Sequence, residues 1–110
     1  MEKIIIASDH AGFRLKEKLV SWLISNRYEV KDIGCFSEDS VDYPDYAHPL
    51  AEAVERGDFN FGITICGSGN GINMATNKHQ KIRSAVCWCE EISKLARSHN
   101  DANICSLPGR

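Results

Sequence analysis

Two hydrophobic periods alternate along this chain. Unbroken apolar or β-branched runs read as strands covered on both faces, and apolar residues three and four apart read as helices packed on them. Residues 3–8, Lys-Ile-Ile-Ile-Ala-Ser, are the first such run, and their isoleucines predict a central strand. A helix is expected from Ala11-Gly12 to about Arg27. Within it Leu15, Leu19, Trp22 and Leu23 would face the sheet, with Lys16, Glu17 and Lys18 toward water. Residues 28–33 alternate as an edge strand does, and Gly34 closes them. Residues 35–46 form the longest irregular stretch, and loops of that length often belong to function. A second helix stops at Gly57. Its start is ambiguous, since Pro44 suits a first helical residue but Pro49 would then sit inside and cost a hydrogen bond. Residues 61–66 are a third strand, running into the turn Cys66-Gly-Ser-Gly-Asn-Gly71 and a short helix from near Ile72 through Asn77. A fourth strand at 82–87, a helix at 90–97 with Ile92, Leu95 and Ala96 inward, and a fifth strand at 102–107 complete the series.

Strand and helix alternate throughout, so an α/β fold, a doubly wound five-stranded parallel sheet in a single domain over residues 1–110, is the economical architecture. Ligands of such sheets bind off the carboxyl ends of the strands. Asp9 and His10 follow the first strand and Cys66 to Gly71 follow the third, which puts both groups on that edge. His99 and Asn100 precede the fifth strand and so fall on the opposite rim. If they act in the same site, a neighbouring subunit delivers them, a physical reason to expect a homodimer.

Composition narrows the classes. The formal net charge of −2 argues against a general binder of nucleic acid or anionic membrane. No apolar run approaches a membrane span and the start does not read as a signal peptide, so a cytoplasmic protein is expected. Five cysteines without C-x-x-C spacing indicate neither a disulfide framework nor a zinc site.

The chemistry concentrates at the glycine turn. A strand, a glycine-rich turn and a helix start place several backbone N–H groups together, suited to an anion or a developing oxyanion. Cys66 stands at its mouth, where that field favours thiolate. Position alone reads Cys66 equally as a strand-ending core residue. The turn is no P-loop, lacking Gly-Lys-Ser/Thr, and no dinucleotide fingerprint, whose third glycine falls on Ile72. A tyrosine-phosphatase loop would need arginine where Ile72 stands. Asp9 is most simply a helix cap, and His10 and His99 singly read as surface histidines. Arg14, Arg83 and Arg97 read as solvated charges.

The motifs carry more in order than apart. Ser-Asp-His-Ala-Gly-Phe13, Asp42-Tyr-Pro44, Cys66 to Gly71, Ala75-Thr-Asn-Lys78, Ile82-Arg83 and Ser98-His-Asn-Asp-Ala-Asn103 succeed one another along essentially the whole chain. That series closely resembles the ribose/galactose isomerase family, the type B ribose-5-phosphate isomerases and the galactose-6-phosphate isomerase subunits. The resemblance implies a Rossmann-like sandwich and an enzyme of the pentose phosphate pathway. It would interconvert ribose 5-phosphate and ribulose 5-phosphate through a cis-enediolate, with no metal or other cofactor.

Roles follow from the same resemblance. Cys66 matches the family's base; the family's other branch uses a glutamate at the position of Ile72, so isoleucine there leaves Cys66 alone. The amides of Gly67, Gly69, Asn70 and Gly71, with the hydroxyl of Ser68, where many relatives have threonine, would steady the enediolate oxygen. His99 matches the residue that protonates the ring oxygen, with Asp9 taking the anomeric proton. Tyr43 and Asn100 match substrate contacts, and His10 and Arg110 would hold the phosphate. The family assembles its site between two subunits of a homodimer; pairing of dimers into a tetramer stays open. Its members continue past the Arg110 motif through a further helix and an arm with two more phosphate-binding arginines. C-terminally truncated relative to them, this protein is expected to bind substrate poorly and to expose an apolar patch. A galactose-6-phosphate-type isomerase, a non-catalytic sugar-phosphate-binding module and, more weakly, a flavodoxin-like nucleotide binder are the alternatives.

Overall fold

A computed structural model describes residues 2–110. Its strands are β1 (Lys3–Ser8), β2 (Glu29–Asp32), β3 (Phe61–Cys66), β4 (Ser84–Val86) and β5 (Ile104–Pro108). They form one parallel sheet in the order β2-β1-β3-β5-β4. The doubly wound expectation is met. β2 is an edge strand as its alternation suggested, but the middle place belongs to β3. The isoleucine-rich β1 lies between β2 and β3; two covered faces demand an interior strand, not the central one. β4 is half the expected length, because Ile82 and Arg83 lie outside the ladder and Cys87 leaves it at the other end.

Helices α1 (Phe13–Ser25) and α4 (Glu90–Asn100) share one face of the sheet; α2 (Pro44–Glu55) and α3 (Asn70–Thr76) share the other. Side-chain alternation along β1 divides the core to match. Ile5 and Ala7 join Leu50, Ala51, Ala53 and Val54 of α2, with Ile82 and Ile104, in the main apolar cluster. Both of the proline readings of α2 hold together. Pro44 is the first helical residue and Pro49 lies inside the helix. Pro49 and Asp45 are both exposed, so the carbonyl that loses its donor can turn to water. The helix ends as expected at Gly57, where Gly57 N–H donates to Val54 (3.0 Å) and Asp58 N–H to Ala53 (3.1 Å), the paired bonds of a Schellman stop.

The first helix departs most from its expectation. Its opening turn, His10–Gly12, is 3₁₀ and capped by Asp9, and α1 proper starts at Phe13. Trp22 is 56% exposed, lying on Tyr28 with ring centroids 6.5 Å apart. Lys16, expected in water, is fully buried. It stands three residues after Phe13 and seven before Leu23, on the sheet-facing stripe. Its ammonium lies 2.6 Å from Asp32 and 2.8 Å from Glu17, and 5.5 and 5.3 Å from the ring centroids of Phe13 and Phe36. Burial by itself lowers a lysine pKa, but here the two carboxylates outweigh it and the net shift is upward.

A second polar assembly ties α2 to the turn that follows α3. His48 Nδ1 lies 2.8 Å from His79 Nε2, and His79 Nδ1 lies 2.9 Å from Glu55 Oε1. The amide of Lys81 donates to Glu55 Oε2 (3.1 Å). That amide first, and His79 after it, hold the Glu55 carboxyl below the ordinary range.

Lys16→Ala is expected to cost about 2–3 kcal/mol in urea unfolding, somewhat under the loss for a sealed pair because Asp32 keeps contact with water. Because the Lys16 pKa is raised, this stabilisation is complete below the ordinary lysine range and fades only as pH climbs through the raised value. The Glu55 contribution has the opposite sign. It is complete above the ordinary carboxylate pKa and disappears as pH falls through the lowered one, so Glu55→Gln should flatten the acid limb of stability measured against pH.

Candidate active site

Three parallel neighbours, β1, β3 and β5, end together, and their following turns meet at one edge of the sheet. Ser8 pairs with Ile65 and Cys66 with Pro108. Beyond those pairs the backbone continues to interlock: Asp9 N–H donates to Ile65 (3.1 Å), Gly109 N–H to Cys66 (2.8 Å) and Arg110 N–H to Gly67 (3.2 Å). The guanidinium of Arg110 therefore lies over Gly67, where an added Cβ would stand 3.3 Å from Nη1. Asp9 is buried, and its Oδ1 accepts from the amides of Ala11 (3.0 Å) and Gly12 (3.2 Å). The helix cap is real, and both capping bonds fall on one oxygen.

The glycine turn has the form its sequence called for. Gly69, at φ +81°, turns the chain in the left-handed region that side chains avoid, directly before α3. Ser68 is exposed, and its Oγ accepts from Asn70 N–H (3.1 Å), which leaves the hydroxyl proton for another acceptor. Gly71 matters for closeness: a Cβ there would meet the Tyr43 ring at 2.8 Å and its hydroxyl at 3.1 Å. Tyr43 thus leans across the turn from the start of α2. His10 is half-buried beside them, its Nδ1 3.1 Å from the amide and 3.2 Å from the carbonyl of Val41. Val41 escaped sequence reading; nothing in a lone valine marks a loop contact with a distant histidine.

Cys66 is more deeply set than the mouth of a turn suggests. It is 4% exposed and packs against Ala47 and Ile72, with Ala75 alongside. The cause lies in the strand pattern: Cys66 is the last β3 residue on the α2/α3 face, and Ala47 is small enough for α2 to close over it. His99 and Asn100 lie elsewhere. They are exposed in the last turn of α4, and the Asn100 carbonyl accepts from Arg83 at the amino end of β4, while Asn103 bonds Gly62 at the start of β3. That is the opposite rim, as topology required. One chain brings together Asp9, His10, Tyr43, Cys66 to Gly71 and Arg110, and leaves His99 and Asn100 apart.

Among the described residues no group of three His, Cys, Asp or Glu side chains could hold a metal ion. No helix is long and apolar enough to cross a membrane.

Known proteins share this arrangement. Residues 4–110 match the ribose/galactose isomerase family. Ribose-5-phosphate isomerase B of Escherichia coli is 43% identical over 110 residues, all of this chain and 74% of that protein. The crystal structure of a ribose 5-phosphate isomerase from Thermotoga maritima superposes with a TM-score of 0.98 at 50% identity, covering 99% of this chain and 75% of that one. Ribose-5-phosphate isomerase B from Mycoplasma genitalium, solved with bound ribulose-5-phosphate, superposes at 0.92 with 38% identity, over 98% of this chain and 72% of its own. With a family match over nearly its whole length and the same sheet, turns and helices in the solved relatives, the chain belongs to the ribose/galactose isomerase family.

Proposed function

We propose that this chain is an aldose–ketose isomerase acting on ribose 5-phosphate and ribulose 5-phosphate through a cis-enediolate, with Cys66 as the base. The observation that carries the reading is the meeting of the Arg110 guanidinium, the Cys66–Gly71 turn and Tyr43 at one strand edge. Arg110 and His10 hold the phosphate, a planar fork and an imidazole suiting a doubly charged group. The open sugar then extends along the turn. The Cys66 thiolate takes the proton from the carbon beside the carbonyl, and the electron pair moves onto the carbonyl oxygen. The turn amides and the Ser68 hydroxyl steady that oxygen, each well-aimed donor contributing a few kcal/mol. The proton of the adjacent hydroxyl passes to that oxygen, and the thiol returns its proton to the neighbouring carbon as the second oxygen becomes the carbonyl. Ala47 and Ile72 nearly cover the sulfur, so the reacting carbon must lie directly over the turn, where little water competes for the donors.

Ring opening needs a proton on the ring oxygen and one removed from the anomeric hydroxyl. Asp9 keeps Oδ2 outside its cap for the second task. His99, with Asn100 as a sugar contact, supplies the first from a second copy of the chain, because its own rim faces away. A homodimer is part of this proposal.

One observation favours a second reading. The deep burial of Cys66 suits a sugar-phosphate-binding module that does not turn over. Exchange of substrate hydrogen with deuterated water separates the two. Isomerase chemistry exchanges the proton next to the carbonyl, and Cys66→Ala should abolish exchange while sparing binding. Undiminished exchange in Cys66→Ala would remove Cys66 as the base; no exchange in the unaltered protein, with binding intact, would favour the module. Gly71→Ala should displace Tyr43 and raise KM about tenfold, roughly 1.4 kcal/mol of binding, with little change in urea stability. Steady-state kinetics beside a denaturation curve checks both halves.

A further inference from the structure

Between α1 and α4 the sheet is left uncovered, and a cavity of about 370 Å³ opens there, walled by Ile4, Leu23, Ile63 and Ala96. Two cysteines with no part in the isomerase reading, Cys87 and Cys105, also line it. Register explains their meeting. Ala85 pairs with Cys105 on the neighbouring strand, and Cys87, just past the end of β4, lines the same cavity. Cys87 Sγ donates to the Ala85 carbonyl (3.5 Å), and both cysteines face the same cavity. Neither cysteine is in a disulfide. We propose that Cys87 and Cys105 form a two-thiol binding site for trivalent organoarsenicals, with the apolar cavity receiving the organic group.

Valence and charge select that class. A zinc or similar ion bound in a closed protein site seeks about four ligands, and no third His, Cys, Asp or Glu joins this pair to make a metal-holding group among the described residues. Trivalent arsenic carrying one aryl carbon needs only two sulfurs. In the reaction of phenylarsine oxide with the pair, two As–S bonds form and the As–O bonds break. The oxygen leaves with both thiol protons as one water, and nothing is oxidised or reduced. No ion is left in the apolar wall. Burial first, and then Cys87, push the Cys105 thiol up to about 12, so Cys105 meets the reagent protonated, the form this condensation consumes. Simple alkylation needs thiolate and is correspondingly slow here. Room is sufficient: apolar cavities of roughly 150 Å³ accept a benzene ring.

The test uses the full chain, reduced with a phosphine and mixed with equimolar phenylarsine oxide. Intact mass is expected to show one phenylarsenic group per chain, with the loss of one water. Peptide mapping after alkylation in denaturant should find Cys87 and Cys105 protected and Cys35, Cys66 and Cys89 alkylated. The adduct should be lost in Cys87→Ser and in Cys105→Ser, persist in Cys66→Ser and Cys89→Ser, and reverse with dimercaptopropanol. Absence of an adduct, its survival in Cys105→Ser, or protection of a different pair would overturn the site. Mapping of the unaltered protein keeps the conclusion independent of how the variants fold, and no outcome bears on the isomerase reading.

Discussion

Parallel pairing of β1, β3 and β5 is the constraint under which the candidate site exists. Because the three strands run the same way and end in step, three separate turns project from one edge, and none needs its own scaffold. The backbone bonds from Gly109 and Arg110 to Cys66 and Gly67 carry the ladder past the formal end of the sheet. They fix the guanidinium over the turn at the cost of ordering only two residues. A slip of one residue between β3 and β5 would invert every side chain on one strand relative to the other and remove Arg110 from Gly67. Site geometry and core packing are therefore specified by one register.

The same pairing has a consequence on the far rim. A parallel strand must be entered from the edge opposite its exit, so the residues leading into β5 cannot stand beside those leaving β3. His99 and Asn100 obey this, and no local rearrangement of α4 brings them to Cys66 within one chain. Two-copy assembly enters the functional proposal for that geometric reason.

Much of this was legible in sequence because period and punctuation agreed. The unbroken apolar runs of β1 and β3, the glycine turn after Cys66 and the stop at Gly57 each have a local physical cause, and each fell where expected. Strand order was less legible: β1 and β3 are both unbroken runs of buried-strand type in sequence, and only long-range pairing decides which is in the middle. Lys16 was misread because residue type was weighed above position. Its place between Phe13 and Leu23 on the buried stripe was visible, but the Asp32 carboxylate that makes burial tolerable comes from another element. Cys66 was placed correctly along the chain and too near the surface, since a strand pattern does not tell how closely the covering helix approaches. The contact of Val41 with His10 left no trace at all, being made by irregular backbone.

The sealed ammonium of Lys16 also bears on how such a protein can change over generations. Losing Asp32 leaves the buried ammonium with Glu17 alone, and losing Lys16 leaves a half-buried carboxylate without its cation, whereas exchanging both for well-packed apolar residues need cost little. Every single step between those two end points passes through a weakened protein. Drift at positions 16 and 32 is thereby yoked, and a descendant that abandons one partner is under pressure to abandon the other.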